Sequence, residues 1–291
     1  MSKRDLEGKT YLVTGANVGI GKATAAALAA RGGTVVLAAR SEEKTKPVVA
    51  ELRASIEGAD VHFLKLDLAD LAATKRAAEE YLASGRALDV LVNTAGLANA
   101  PGLTKDGFEI TIGTNHLGPF LFTNLLLPRL REAKQGRIVN VSSRANLRAK
   151  GIELESARRA GRSAPERLRL YGVSKLMNIL HAKELARREA ATKITTYALH
   201  PGVVASDAWR SLPSFVQPVV KLFMISNEEG AATSVHCATA PELATVTGRY
   251  FVKSREAKAN PLADDEKLAK ELWTWSERMI DEAFAAQKIA A

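Results

Sequence analysis

The 291-residue chain carries one cysteine, Cys237. A lone cysteine excludes an intrachain disulfide, and with it a disulfide-stapled secreted scaffold. It accords with a reducing compartment. No apolar run is long and charge-free enough to span a bilayer. The first nine residues are polar and lack the apolar stretch of a signal peptide or anchor. These absences lead to the expectation of a soluble, cytoplasmic protein. No His, Cys and Asp residues fall at metal-ligand spacing, so no metal is expected. No G-x-S-x-G elbow is present, which speaks against a Ser-His-Asp hydrolase. There is no internal repeat, low-complexity tract or Pro/Gly/Ser linker. The apolar fraction of 46% is ordinary for a globular protein with a large core. A single domain over 1–291 is expected.

The formal charge is +9, and most of the surplus is local. Between Arg129 and Arg169 twelve Lys/Arg stand against four Asp/Glu. Such a patch can be a solvated face, an attractor of anionic ligands or membrane surface, or a nucleic-acid site. Aromatics are only 5% of the chain, and none occurs in this stretch before Tyr171. Nucleic acid is therefore not expected as a partner, whereas peripheral contact with anionic membrane stays open.

Short apolar runs alternate with longer amphipathic stretches. Strands are expected over Thr10–Thr14, 34–38, 61–66, 88–92, 137–142, 194–199 and 249–252. Helices are expected over 19–31, onward to 52 after the second strand, and over 71–82, 107–130, 170–188 and 264–286. Strands that are apolar throughout are buried on both faces. Their alternation with helices predicts an α/β fold with a doubly wound parallel sheet of the Rossmann type. Ligand chemistry then belongs at the carboxyl ends of the strands.

What is present falls at those ends. Thr14-Gly15-Ala16-Asn17-Val18-Gly19-Ile20-Gly21-Lys22 follows the first strand and opens the first helix. Glycines there allow a tight turn and close approach of a pyrophosphate, and the helix start offers free N–H groups. Gly15, Asn17, Val18, Gly19, Ile20 and Gly21 are thus candidate cofactor contacts. The second strand leads into Ala39-Arg40. An acid at that point would accept the adenosine ribose hydroxyls, whereas Arg40 pairs with a 2′-phosphate. This favours NADP over NAD; the bland alternative is a solvated strand-end charge. Tyr171 and Lys175 are four residues apart on a predicted helix and share one face. A cation beside a phenol favours the phenolate and lowers its pKa from about 10. Such a pair can do acid/base work on an alcohol or carbonyl.

With the glycine loop, the Tyr-Lys pair and the residues between them, the chain resembles the short-chain dehydrogenase/reductase family over almost its whole length. Asn115-His116-Leu117-Gly118-Pro119-Phe120, His200-Pro201-Gly202-Val203-Val204, Gly248-Arg249-Tyr250-Phe251 and Glu256-Ala257-Lys258 resemble the branch of retinol dehydrogenases and related carbonyl reductases. The resemblance implies a catalytic set. Tyr171 would exchange the proton, and Lys175 would lower its pKa and hold the nicotinamide ribose. Ser143 would orient the substrate oxygen, and the Asn115 backbone would hold a relay water. For the cofactor it implies Asp67 on the adenine with Leu68 beside it. Asn93, Ala95 and Gly96 would border the cofactor, and Pro201, Gly202, Val204 and Ser206 would line its nicotinamide end. Three positions depart from common members. Thr94 stands for a second Asn, Ser206 for Thr, and Val18 for the basic residue of many NADP users.

The function expected is hydride transfer between NADP(H) and a hydrophobic alcohol, aldehyde or ketone. The connection 144–169 is long and basic, and is expected to overhang the substrate entrance as a lid. The segment about 208–225 holds Trp209, Leu212, Phe215, Val216, Val219, Val220, Leu222, Phe223 and Met224. It is expected to form an apolar second wall; core or interface packing is the competing reading. Relatives pair through helices, which makes a homodimer a family expectation. The alternatives are a non-catalytic dinucleotide-binding regulator on the same fold, an NAD-dependent alcohol dehydrogenase, and an epimerase or dehydratase. Retention of Ser143, Tyr171 and Lys175 counts against the regulator. The short sequence after the sixth strand counts against the epimerase.

Overall fold

The computed structural model describes residues 4–202 and 225–290. Eight described strands form one sheet: β1 Thr10–Thr14, β2 Thr34–Ala39, β3 Val61–Lys65, β4 Val90–Asn93, β5 Arg137–Val141, β6 Thr195–His200, β7 Arg249–Val252 and β8 Arg255–Glu256. Their order is β3-β2-β1-β4-β5-β6-β7-β8. Every pairing is parallel except the closing β7–β8 hairpin. The order reverses between β1 and β4, which opens a crevice at their carboxyl ends. The doubly wound α/β fold expected from the strand pattern is the fold observed.

Strands β1, β2, β4, β5 and β6 are buried almost throughout because helices cover both faces. On one face Leu12, Val36 and Leu91 pack with helices α3 (Leu71–Ala83), α4 (110–131), α5 (Ala164–Arg188) and α7 (Glu266–Ala290). On the other, Val13, Leu37 and Val92 pack with α1 (Gly19–Ala30), α2 (Glu42–Ser55) and α6 (Asn227–Thr239). Helix α4 is composite. It starts as one turn, Ile110–Ile112, passes through a π-helical turn, Gly113–Leu117, and continues as Gly118–Arg131. The Glu109 carboxylate caps its start by accepting from the Thr111 and Ile112 amides. The uninterrupted helix expected over 107–130 is thus shorter and broken where Asn115 sits.

Two further differences concern helices. α5 starts at Ala164, six residues before the expected start. Ser163 accepts from the Glu166 amide, and Pro165 sits in the first turn, where a missing N–H costs nothing. α6 was not expected, although Ser226 and Glu229 form a reciprocal capping box at its start. Segment 144–169 holds two 3₁₀ turns, Arg144–Arg148 and Leu154–Arg158, before α5. It is fastened to the body. The Asn260 amide donates to the Asn146 and Ala149 carbonyls, each at 2.8 Å. Arg158 pairs with Glu282 at 3.1 Å and stacks on Phe108, 4.6 Å from its ring centroid. The apolar wall expected over 208–225 lies outside the described residues except for Ile225.

Candidate active site

The glycine loop connects β1 to α1. Gly15 adopts φ +65°, and a Cβ there would meet the Ala95 Cα at 2.9 Å. A Cβ on Gly21 would fall 2.4 Å from the Gly15 carbonyl oxygen. The loop therefore folds on itself against the turn after β4, as closely as glycine allows. Thr14 closes this contact by accepting from the Ala95 amide at 3.0 Å. α1 is preceded by Val18, which offers no side-chain cap. α2, α3, α5 and α6 are each capped by a Ser or Asp. The amides at the start of α1 thus have no side-chain acceptor and face the strand ends, as a phosphate cradle requires. Asn17 and Ile20 are partly exposed on the same turn.

The catalytic candidates converge beside it. β5 ends at Val141, and the two serines that follow diverge. Ser142 is buried and donates to the Lys175 carbonyl at 2.6 Å, tying the strand end to α5. Ser143 heads the first 3₁₀ turn, accepts from the Ala145 amide at 3.2 Å and lies near enough to the Tyr171 hydroxyl to favour its ionised form. Lys175 is buried, donates to the Val141 carbonyl at 2.9 Å, and lies 5.6 Å from the Tyr171 ring centroid. A Cβ on Gly96 would sit 3.2 Å from both the Lys175 Nζ and the Asn115 Oδ1. Gly96 thereby lets the ammonium and the Asn115 amide approach the turn after β4 closely.

Asn115 stands in the π-turn, which displaces it from regular helix register. Its amide clamps Leu97 in both directions, accepting from Leu97 N and donating to Leu97 O, each at 2.9 Å. It also donates to Ser174 Oγ at 3.0 Å. The side chain thus positions the loop after β4 against α5.

Electrostatics differ from the expectation drawn from spacing alone. Burial pushes the Tyr171 phenol above its ordinary value, and the neighbouring Ser143 hydroxyl opposes that. Burial pulls the Lys175 ammonium down to about 8. A lysine-lowered phenol is not what this arrangement gives, because the ammonium faces the ring and bonds a carbonyl instead of the hydroxyl.

The remaining candidates take varied positions. Arg40 is exposed, with no hydrogen bond or ion pair among the described residues. Asp67 accepts from the Ala69 amide at 3.0 Å, and Leu68 is buried beneath α4, where a Cβ on Gly118 would meet its carbonyl at 2.4 Å. Asn93 turns its amide into the sheet, onto Thr123 at 3.0 Å and Asn140 at 2.9 Å. That is a sheet-supporting geometry. Pro201 and Gly202 follow the carboxyl end of β6, and the Ile225 side chain fills the space over Gly202. Val204 and Ser206 lie outside the described residues. Spacing alone did not single out Asn227 at the start of α6, whose Oδ1 would lie 3.7 Å from a Cβ on Gly19. The capping box at Ser226 was the available signal.

Three comparisons bear on this site. The family model for short chain dehydrogenase matches residues 9–216. Human retinol dehydrogenase 12 is 41% identical over 276 residues, covering 93% of this chain and 86% of that one. Human dehydrogenase/reductase SDR family member 13 is 38% identical over 280 residues, 94% and 74% of the two chains. A crystal structure of an uncharacterised protein from Mycobacterium Paratuberculosis superposes with a TM-score of 0.76 at 32% identity, covering 97% of both chains. The phosphate-ready loop, the Ser143–Tyr171 pair over Lys175 and these matches agree: the chain belongs to the short-chain dehydrogenase family, in its retinol dehydrogenase branch, and is an oxidoreductase built to bind a nicotinamide dinucleotide.

Proposed function

We propose that the chain transfers a hydride between NADP(H) and a hydrophobic alcohol, aldehyde or ketone. The observation that carries the reading is the neighbouring Ser143 and Tyr171 hydroxyls with the Lys175 ammonium beside the Tyr171 ring and packed close to Gly96. Gly15, Gly19, Gly21 and the uncapped start of α1 would hold the dinucleotide phosphates, and Lys175 its nicotinamide ribose. The bound dinucleotide supplies or accepts the hydride.

Ser143 and Tyr171 donate hydrogen bonds to the carbonyl oxygen and stabilise the negative charge that builds there. Tyr171 then gives its proton to the alkoxide. A phenol held above its ordinary pKa stays protonated at neutral pH, which supports reduction as the favoured direction. Arg40, exposed and unpaired among the described residues, supports NADP. The apolar composition of 208–225 and the similarity to a retinol dehydrogenase support a lipophilic substrate.

The test is NADPH consumption with a panel of hydrophobic aldehydes. Tyr171→Phe is expected to lower kcat by about 10²–10⁴ while leaving NADPH affinity unchanged. Dinucleotide binding with no turnover on any carbonyl would favour the non-catalytic regulator instead.

A peripheral lipid contact has its own support. Leu147 and Leu168 are about half exposed, and Arg148, Lys150, Arg159 and Arg162 are exposed in the same segment. Arginine and leucine side by side suit an anionic lipid surface. Co-sedimentation with phosphatidylserine vesicles that is lost at high salt is expected. No binding at low salt refutes the contact.

A further inference from the structure

Where the adenosine end of a dinucleotide would lie, β2 and β3 finish together. Ala39 is in register with Lys65, and the Leu66 amide donates to the Ala39 carbonyl at 3.0 Å. The Lys65 Cα therefore stands one strand spacing, about 4.8 Å, from that of the residue before Arg40. A lysine's four-carbon stem spans such a gap.

The face on which Lys65 emerges follows from its neighbours. Val61 and Phe63 pack in the cluster under α1 and α2, while Leu64 and Leu66 pack on the opposite side. Alternation puts Lys65 on the α1–α2 side with its partner Ala39, and Arg40 follows in a bend past the end of β2, where strand alternation no longer fixes its face. Lys65 is exposed and has no hydrogen bond or ion pair among the described residues. Its charge nevertheless reaches the first turn of α2. The Glu42 carboxyl is held low first by its hydrogen bond to Lys46, and Lys65 adds to that effect. Ser41, which follows Arg40 and caps α2, accepts from the Lys44 amide at 3.3 Å and keeps its hydroxyl proton to donate. On the glycine-loop side, Val18 is 60% exposed and carries no charge.

We propose that Lys65 is the second cation of the adenosine 2′-phosphate site. Arg40 would hold the phosphate from the end of β2 and Lys65 from the end of β3. A 2′-phosphate carries close to two negative charges, and one exposed arginine leaves it half neutralised. The glycine loop offers the exposed but uncharged Val18 there, and Lys65 supplies the charge from a different strand. The assignment rests on the NADP reading above.

Calorimetric titration of the full chain with adenosine 2′,5′-bisphosphate and with AMP tests it. The wild type is expected to prefer the bisphosphate by tenfold or more. Lys65→Gln should cut that preference about five- to tenfold, leave AMP affinity unchanged and flatten the salt dependence. Lys65→Arg should keep the preference. A wild type with no preference would overturn the NADP reading and this site with it. A wild-type preference that survives Lys65→Gln overturns only the role of Lys65. An equal loss for AMP also overturns it, since the lysine would then act on the shared part of the two ligands.

Discussion

The Lys175 ammonium faces the Tyr171 ring 5.6 Å from its centroid, yet its hydrogen bond goes to the Val141 carbonyl. Among the described residues the ammonium is therefore buried with one neutral acceptor and no carboxylate, which is why its pKa falls to about 8. The unfolded chain binds that proton more tightly than the folded one. Folding thus bears the full burial penalty below about 8, and stability recovers as pH rises from about 8 to 10.5. Lys175→Met removes the penalty. Its melting temperature relative to wild type is expected to be highest at pH 7 and to lose that advantage by pH 10. The swing is on the order of 2–3 kcal/mol. A difference that stays constant across this range refutes the account.

Asn115 holds Leu97 through both its amide and its carbonyl. Asn115→Ala leaves both groups without that partner and is expected to cost about 2–4 kcal/mol. kcat should fall as well, because the loop after β4 loses its anchor on α5. Asn115→Asp keeps the bond from Leu97 N but sets a carboxylate against Leu97 O, so it should rescue little. Chemical denaturation and steady-state kinetics on the same samples check both effects.

Gly21 approaches the Gly15 carbonyl so closely that a methyl group cannot enter without moving backbone. Gly21→Ala is expected to cost about 2–3 kcal/mol and to weaken dinucleotide binding at least tenfold. Gly151→Ala, with open space around it, should leave both unchanged. Thermal melts and dinucleotide titrations of the pair decide it.

His116, His181 and His200 are buried, and burial pulls them down to about 3, 4 and 4. Their unfolded value is about 6.5. In the window below it the unfolded chain binds more protons, so stability present above pH 6.5 is lost as pH falls toward 4. His181 packs on Phe120 and Trp273, so His181→Gln should lower stability at neutral pH. It should also make the acid slope shallower than in the wild type. An unchanged slope measured by urea midpoints from pH 7 to 5 counts against the buried neutral imidazole.

Much of the fold was legible in residue order. The glycine loop, the apolar strands and the four-residue step from Tyr171 to Lys175 each report on a few consecutive residues, and each lies where expected. α6 was not expected because its Ala-rich body has little apolar periodicity, and its capping box was passed over. The break in α4 was hidden because a π-turn changes register without changing composition. The two serines after β5 look alike in sequence. Only the packed structure separates Ser142, tied to α5, from Ser143, which acts on the Tyr171 phenol.

Residue order by itself determined which segments would be strands and helices, where a phosphate could approach the backbone, and that a phenol and an ammonium would share one helix face. These depend on local periodicity and on the lack of a Cβ at chosen positions. The tertiary structure alone decided how acidic the phenol is, what Asn115 clamps, and that Lys65 stands beside the strand end carrying Arg40. Desolvation and cross-strand neighbours are set by segments distant in the chain, and no short window of sequence contains them.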